Sequence, residues 1–129
     1  MEKRILIADD DSRVLEALSR WFDRFPEFGR VLVAKDGREA VDKTQRYNPS
    51  LVILDLSMPG MNGIEAARWV HKARPDVPII LFTFHGAEFN SLVNAGISAV
   101  VSKDQVETQL LGKVRELLNP PSETPASAA

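Results

Sequence analysis

The 129-residue sequence predicts an α/β domain built on a doubly wound, five-stranded parallel sheet. Two observations carry that expectation. Five short apolar runs, each cut off by polar residues, alternate with stretches that suit helices. The runs are apolar almost throughout rather than alternating with polar residues, as strands covered on both faces should be.

The elements follow in chain order. Ile5–Ala8 is the first strand, stopped by Asp9, Asp10 and Asp11. Leu15, Leu18, Phe22 and Phe25 then recur at helical spacing, with Asp11 or Ser12 as the N-cap. Trp21, Phe22 and Phe25 read as core and helix-face packing rather than a binding box. Val31–Ala34 is the second strand, and Gly37 to Tyr47 a polar helix ended by Asn48-Pro49. Residues 51–54 form the third strand, ahead of Asp55. Ile64, Ala67 and Val70 mark the third helix, closed by Arg74-Pro75, with His71 on its solvated side. Residues 79–82 lead to Thr83, and Phe89, Leu92 and Val93 mark a short fourth helix ended by Gly96. Residues 99–101 run into Ser102 and Lys103, and Val106, Leu110, Val114 and Leu117 mark the last helix. Residues 1–118 thus make one domain. The stretch 119–129 holds Pro, Ser and Ala but no large apolar side chain, so it reads as a disordered tail or linker.

Composition narrows the functions. Sixteen Lys and Arg against eighteen Asp and Glu give a formal charge of −2, which argues against direct nucleic-acid binding. With no cysteine, disulfides, thiol catalysis and Cys-zinc sites are excluded. No apolar run is long enough for a membrane helix, and the N-terminus does not read as a signal peptide. A cytoplasmic setting fits.

Four of the five strands end in residues that can do chemistry: Asp9 and Asp10, Asp55, Thr83, and Lys103. In a parallel sheet with right-handed crossovers these ends share one edge, where ligands of such folds bind. Three carboxylates in one cleft repel one another, and burial adds to the cost, so they stay ionised only beside a cation. An all-oxygen set suits a hard ion such as Mg2+. A hydroxyl and an ammonium converging on that pair suit a phosphoryl group. Taken singly, each residue is an ordinary polar strand stop, and it is their coincidence that points to a site.

The segments read Ile-Leu-Ile-Ala-Asp9-Asp10-Asp11-Ser, Val-Ile-Leu-Asp55-Leu-Ser57-Met-Pro59-Gly-Met-Asn-Gly63, Leu-Phe-Thr83 and Val-Val-Ser-Lys103. They resemble the receiver domain of two-component response regulators, the CheY-like family, from residue 3 to about residue 118. The resemblance implies a flavodoxin-like (βα)5 fold with strand order 2-1-3-4-5. It implies Asp55 as the phosphoacceptor of a phosphorelay. Mg2+ would be held by Asp10, Asp55 and the backbone carbonyl of Ser57, with Asp9 assisting through water, and Thr83 and Lys103 would contact the phosphoryl oxygens. It implies a signalling module rather than an enzyme, catalysing at most its own phosphorylation and dephosphorylation, whose phosphorylation shifts a partner-binding surface. The implied partners are a sensor histidine kinase or phosphotransfer protein, a downstream protein or appended output domain, and a second copy as a homodimer, with no membrane.

Four features depart from the family pattern. Phe84 follows Thr83 where a small residue is usual, and either restricts access to Asp55 or turns into the core. His85 either approaches the phosphoryl group or is simply exposed. Val100 replaces the aromatic that rotates in many receivers, and the segment from Thr83 to Gly96 is short, which together put the usual output face in doubt. Lys103 is followed by Asp104 instead of Pro, a pairing frequent in receivers of helix-turn-helix transcription factors, or else a plain N-cap of the last helix. The Asp104 peptide is expected to be trans. The alternatives are the input domain cut from such a transcription factor, an aspartyl-nucleophile phosphatase, and an FMN binder. The phosphatase would need an acid at Ser57, and three Asp after the first strand would repel an FMN phosphate.

Overall fold

Residues 3–84 and 94–119 are described by the computed structural model. The expected fourth helix at Phe89, Leu92 and Val93, His85, and the tail beyond Asn119 lie outside the described residues.

The strands are β1 (Ile5–Ala8), β2 (Val31–Ala34), β3 (Leu51–Asp55), β4 (Ile79–Thr83) and β5 (Ala99–Ser102). They form one all-parallel sheet in the order β2-β1-β3-β4-β5. Helices α1 (Ser12–Phe22), α2 (Gly37–Tyr47), α3 (Gly63–Ala73) and α4 (Leu111–Leu118) cover it. No described helix is long and apolar enough to cross a membrane.

The uninterrupted apolar runs follow from two cores. In β1, Leu6 and Ala8 pack with α2 and α3 through Ala40, Ala66, Ala67 and Val70. Their neighbours Ile5 and Ile7 face the other way, among Leu15, Leu18 and Phe22 of α1 and Val114 of α4. β3 divides likewise, Val52 and Leu54 against Leu51 and Ile53, all fully buried. Each such side chain contributes about 1.5–3 kcal/mol of burial, so both faces of the central strands must be apolar. Strand β2 departs from the expectation: Val31, Leu32 and Val33 are only half-buried, because it lies at the sheet edge and has a strand on one side only.

The caps are local. The Asp11 carboxylate accepts from the Arg13 amide and starts α1. Asn62 and Glu65 form a reciprocal capping box that starts α3. Helix α1 ends at Phe22, so Phe25 lies beyond it, at the head of a 3₁₀ turn over Pro26–Phe28. Trp21, Phe22, Phe25 and Phe28 stack edge to face there, with centroids 4.9 to 6.1 Å apart. The last helix also starts differently. Val106–Leu110 is one π turn, in which the Gln109 and Leu110 amides both donate to the Gln105 carbonyl. Asp104 does not cap it: its carboxylate accepts from the Ser102 hydroxyl at 2.5 Å. The peptide bond before Asp104 is trans.

The chain runs from β1 to β2 on one side and on to β3 on the other. The order therefore reverses between β1 and β3, and a crevice opens at their C-terminal ends.

Candidate functional site

Asp9, Asp10 and Asp55 leave the ends of β1 and β3 at that crevice, and carboxylate oxygens of all three lie within 4.8 Å of one another. Asp9 and Asp55 are buried, whereas Asp10 faces solvent. The Asp9 amide donates to the Ala34 carbonyl, and its Oδ1 accepts from the Asp11 amide at 2.9 Å. One acid is thereby fixed by the backbone that follows it.

Lys103 closes the cluster from β5. Its amide donates to the Thr83 carbonyl at 3.0 Å, which ties the β5 end to the β4 end. Its Nζ reaches 2.7 Å from Asp9 Oδ2 and 3.1 Å from Asp55 Oδ1. The Lys103 ammonium is the one close partner of the buried Asp9 Oδ2 among the described residues, and its alignment there falls short of a well-formed hydrogen bond. Thr83 is buried at the end of β4, one register step past the Asp55–Phe82 pair.

Charge balance explains the titration. Three carboxylates face one ammonium. Burial pushes the Asp55 carboxyl above its ordinary range, Lys103 pulls it back, and Asp9 and Asp10 push it further up, for a net rise. Burial alone would lower the Lys103 ammonium, but Asp9 and Asp55 outweigh that and raise it. The two partners of one ion pair thus both shift upward: burial dominates at Asp55, with Asp9 and Asp10 adding to it, while Lys103 gains from two acids at once. A second cation would relieve the excess, and three carboxylates clustered against a single ammonium offer oxygens to hold one. The donor set is all oxygen, as a hard divalent ion such as Mg2+ requires.

Backbone packing holds the acceptor strand. A Cβ on Gly63 would lie 2.2 Å from the Asp55 carbonyl oxygen, and the Gly63 amide donates to the Leu56 carbonyl at 2.8 Å. Gly63 lets the first turn of α3 sit directly on the backbone of Asp55.

The structure brings together Asp9, Asp10, Asp55 and Lys103, with Thr83 beside them. Ser57 lies on the exposed loop toward α3, two residues past Asp55. Phe84 does not turn into the core. It is 67% exposed, and its ring lies 5.7 Å from Lys103 Nζ. Two contacts escaped the sequence. One is the direct Asp9–Lys103 pair, and the other is the Phe84–Lys103 contact, for which the bulk of Phe84 after Thr83 was the available signal. His71 is exposed as expected, yet it abuts Gly96, where φ is +86° and an added Cβ would come 2.4 Å from the ring.

Comparison with known proteins agrees with this geometry. The family model for the response regulator receiver domain matches residues 5–115. The transcriptional regulatory protein DegU of Brevibacillus brevis is 31% identical over 114 residues, covering 87% of this chain and 48% of its own length. The chain thus spans about half the length of the curated relatives it matches first. A CheY-like receiver domain structure from Methanospirillum hungatei superposes with a TM-score of 0.84 at 31% identity, covering 92% of this chain and 94% of that one. The response regulator TrrA of Thermotoga maritima, solved in complex with Mg2+–BeF, gives a TM-score of 0.77 at 34% identity, covering 89% and 98%.

Proposed function

The chain belongs to the response regulator receiver family, and on that premise we propose that it accepts a phosphoryl group on Asp55 in a Mg2+-dependent phosphorelay. The observation that carries this reading is Lys103 Nζ held between Asp9 and Asp55 beside a third carboxylate. An Asp55 carboxylate oxygen forms the new O–P bond. The bond from phosphorus to the donor breaks, and its electron pair leaves with the donor, a phosphohistidine nitrogen of a kinase or phosphotransfer protein, or the carboxylate of acetyl phosphate.

The roles divide by position. Lys103 neutralises charge that builds on the phosphoryl oxygens, and its two carboxylate contacts hold it in place before reaction. The Thr83 hydroxyl is assigned to a phosphoryl oxygen, and moving toward it would carry the Thr83–Phe84 end of β4 along and change the surface a partner meets. Asp10, Asp55 and the Ser57 carbonyl are assigned to Mg2+, with Asp9 assisting. When bound, the ion supplies charge neutralisation at the in-line displacement. The TrrA structure with Mg2+–BeF supports that assignment, because a fluoroberyllate stands in for a phosphoryl group. The chain itself carries no further enzymatic step in this reading. Its partners are a histidine kinase or phosphotransfer protein upstream and a downstream protein or output domain, in the cytoplasm.

The test is incubation with acetyl phosphate and Mg2+, followed by intact mass. The wild type gains one phosphate, and Asp55→Asn and the metal-free wild type gain none. A full equivalent on Asp55→Asn at the wild-type rate would remove Asp55 from this role.

A further inference from the structure

Away from the acceptor crevice, the start of α2, the loop after β3 and the outer face of α3 enclose an open cleft of about 550 Å3. Its wall carries Trp69, 52% exposed, with Met61 opposite. Two arginines, Arg38 and Arg68, and two acids, Asp36 and Glu65, line it as well. The four formal charges cancel, but both acids stand at helix starts, where the partial positive charge of the amides offsets them, whereas the arginines have no such counterpart. The Asp36 carboxylate accepts from the Glu39 amide at 2.8 Å and caps α2, and the Glu65 carboxylate accepts from the Asn62 amide at 3.1 Å in the capping box of α3. Among the described residues, neither Arg38 nor Arg68 has a hydrogen bond, ion pair or ring contact. Lys72 adds a third positive charge, 5.5 Å from the Trp69 ring.

We propose that this cleft is a docking site for an acidic segment of a partner protein, with carboxylates on Arg38 and Arg68 and an apolar side chain against Trp69 and Met61. Tryptophan and arginine are the residue types that dominate binding hot spots, and here a half-exposed Trp69 stands beside two arginines on one cleft. A guanidinium takes a carboxylate through two parallel hydrogen bonds, which favours Asp or Glu on the incoming chain. None of the cleft residues belongs to the acceptor cluster, so the inference does not depend on the role of Asp55. Met61 is held against the start of α2, where a Cβ on Gly37 would lie 2.8 Å from the Met61 carbonyl.

The experiment uses the full chain and two synthetic probes: a capped peptide alternating Glu and Leu, and its Lys and Leu counterpart. The indole N–H signals of Trp69 and Trp21 are followed by NMR. Trp21, packed among Phe22 and Phe25, serves as the internal reference. The Glu peptide should shift Trp69 and leave Trp21 in place, and the Lys peptide should shift neither. The double variant Arg38→Glu, Arg68→Glu should weaken the Glu peptide on the order of tenfold or more while its spectrum remains that of a folded chain. Its phosphorylation by acetyl phosphate should be unchanged, which separates lost docking from lost fold. No Trp69 shift with the Glu peptide, equal shifts with both peptides, or an undiminished shift in the double variant would overturn the proposal. A Trp69 shift that grows with protein concentration alone would overturn it in favour of self-association.

Discussion

Lys103 and Arg115 each lie against an aromatic ring, at opposite ends of the sheet and in opposite settings. Lys103 is nearly buried between Asp9 and Asp55, and the ring above it, Phe84, is the exposed member. Arg115 of α4 is itself half-exposed. It meets one carboxylate, Glu27, through two hydrogen bonds of 3.0 and 3.1 Å, and it lies 5.5 Å from the partly buried ring of Phe25. At the Arg115 end each charge has one partner, and the rings below are in the core. At the Lys103 end the charges do not balance and the apolar group is in solvent. The first arrangement closes a structure. The second holds unfavourable charge in place and leaves it available to a ligand, as functional sites tend to do.

Removing the buried cation should break the comparison most sharply. Lys103→Met leaves Asp9 and Asp55 facing each other in a nearly dry site. Taking one partner from a buried pair typically costs about 3–5 kcal/mol, and protonation of an acid will soften that loss. Urea denaturation without divalent ions should show a loss of about 3 kcal/mol, and millimolar Mg2+ should recover part of it if the acids bind the ion. Phosphorylation by acetyl phosphate should be lost. A variant as stable as wild type would mean that the acids are not held against one another.

A smaller effect is expected below the acceptor. Gly63→Ala places a Cβ within 2.2 Å of the Asp55 carbonyl oxygen, a contact that backbone must move to relieve. Overpacking of this kind costs about 1–3 kcal/mol. The same movement displaces Asp55 from Lys103, so the phosphorylation rate should fall together with the stability. A stability loss with an unchanged rate would show that the strain is absorbed in α3.

The ring over Lys103 should matter less to the fold than to the reaction. Phe84→Ala removes an exposed side chain, so stability should stay within about 0.5 kcal/mol of wild type. An exposed cation–π contact is worth about 0.5–1 kcal/mol, or roughly a two- to fivefold change in rate. Releasing Lys103 from the ring should change both the reaction with acetyl phosphate and hydrolysis of the product by up to that factor. Equal rates in the two proteins would leave Phe84 a bystander.

Much of this was legible before any coordinates. The five strands were visible because burial on both faces leaves no polar residue inside a run such as Leu51 to Leu54, and the stops Asp9, Asp55, Thr83 and Lys103 marked the reactive edge. The strand order needed the family resemblance, since apolar runs do not say which strands are neighbours. The exposure of β2 was missed because an edge position depends on what is absent beside the strand. The role of Asp104 was missed because Ser102, two residues back, competes for its carboxylate with the helix it precedes. The close approach of Gly63 to Asp55 was not legible, because sequence shows a missing side chain without showing what comes close in its place.

The smallest effect belongs to the other end of the comparison. The Glu27 carboxyl lies below its ordinary value, first through its hydrogen bonds to Arg115, with burial opposing and the positive charges of Arg115 and Lys3 adding to the fall. The Arg115 guanidinium is raised by the same bonds. A carboxyl whose folded pKa is depressed adds stability that is fully present above its unfolded value, near 4.5, and is lost as pH falls through the folded value. Arg115→Met should therefore lower stability slightly at neutral pH, and the gap to wild type should close below that window. Both groups are solvent-exposed, so raising the salt well above 0.1 M, where the Debye length is about 10 Å, should close the gap at neutral pH too. The Lys103 effect should respond less to the same salt, because that pair is nearly buried and screened far less than a surface pair. In Arg115→Met the Glu27 carboxyl, followed by side-chain NMR, should titrate at a higher pH than in the wild type. If the Glu27 titration did not move, or if salt weakened the Lys103 effect as much as the Arg115 effect, the contrast between a sealed and an open charge pair would fail.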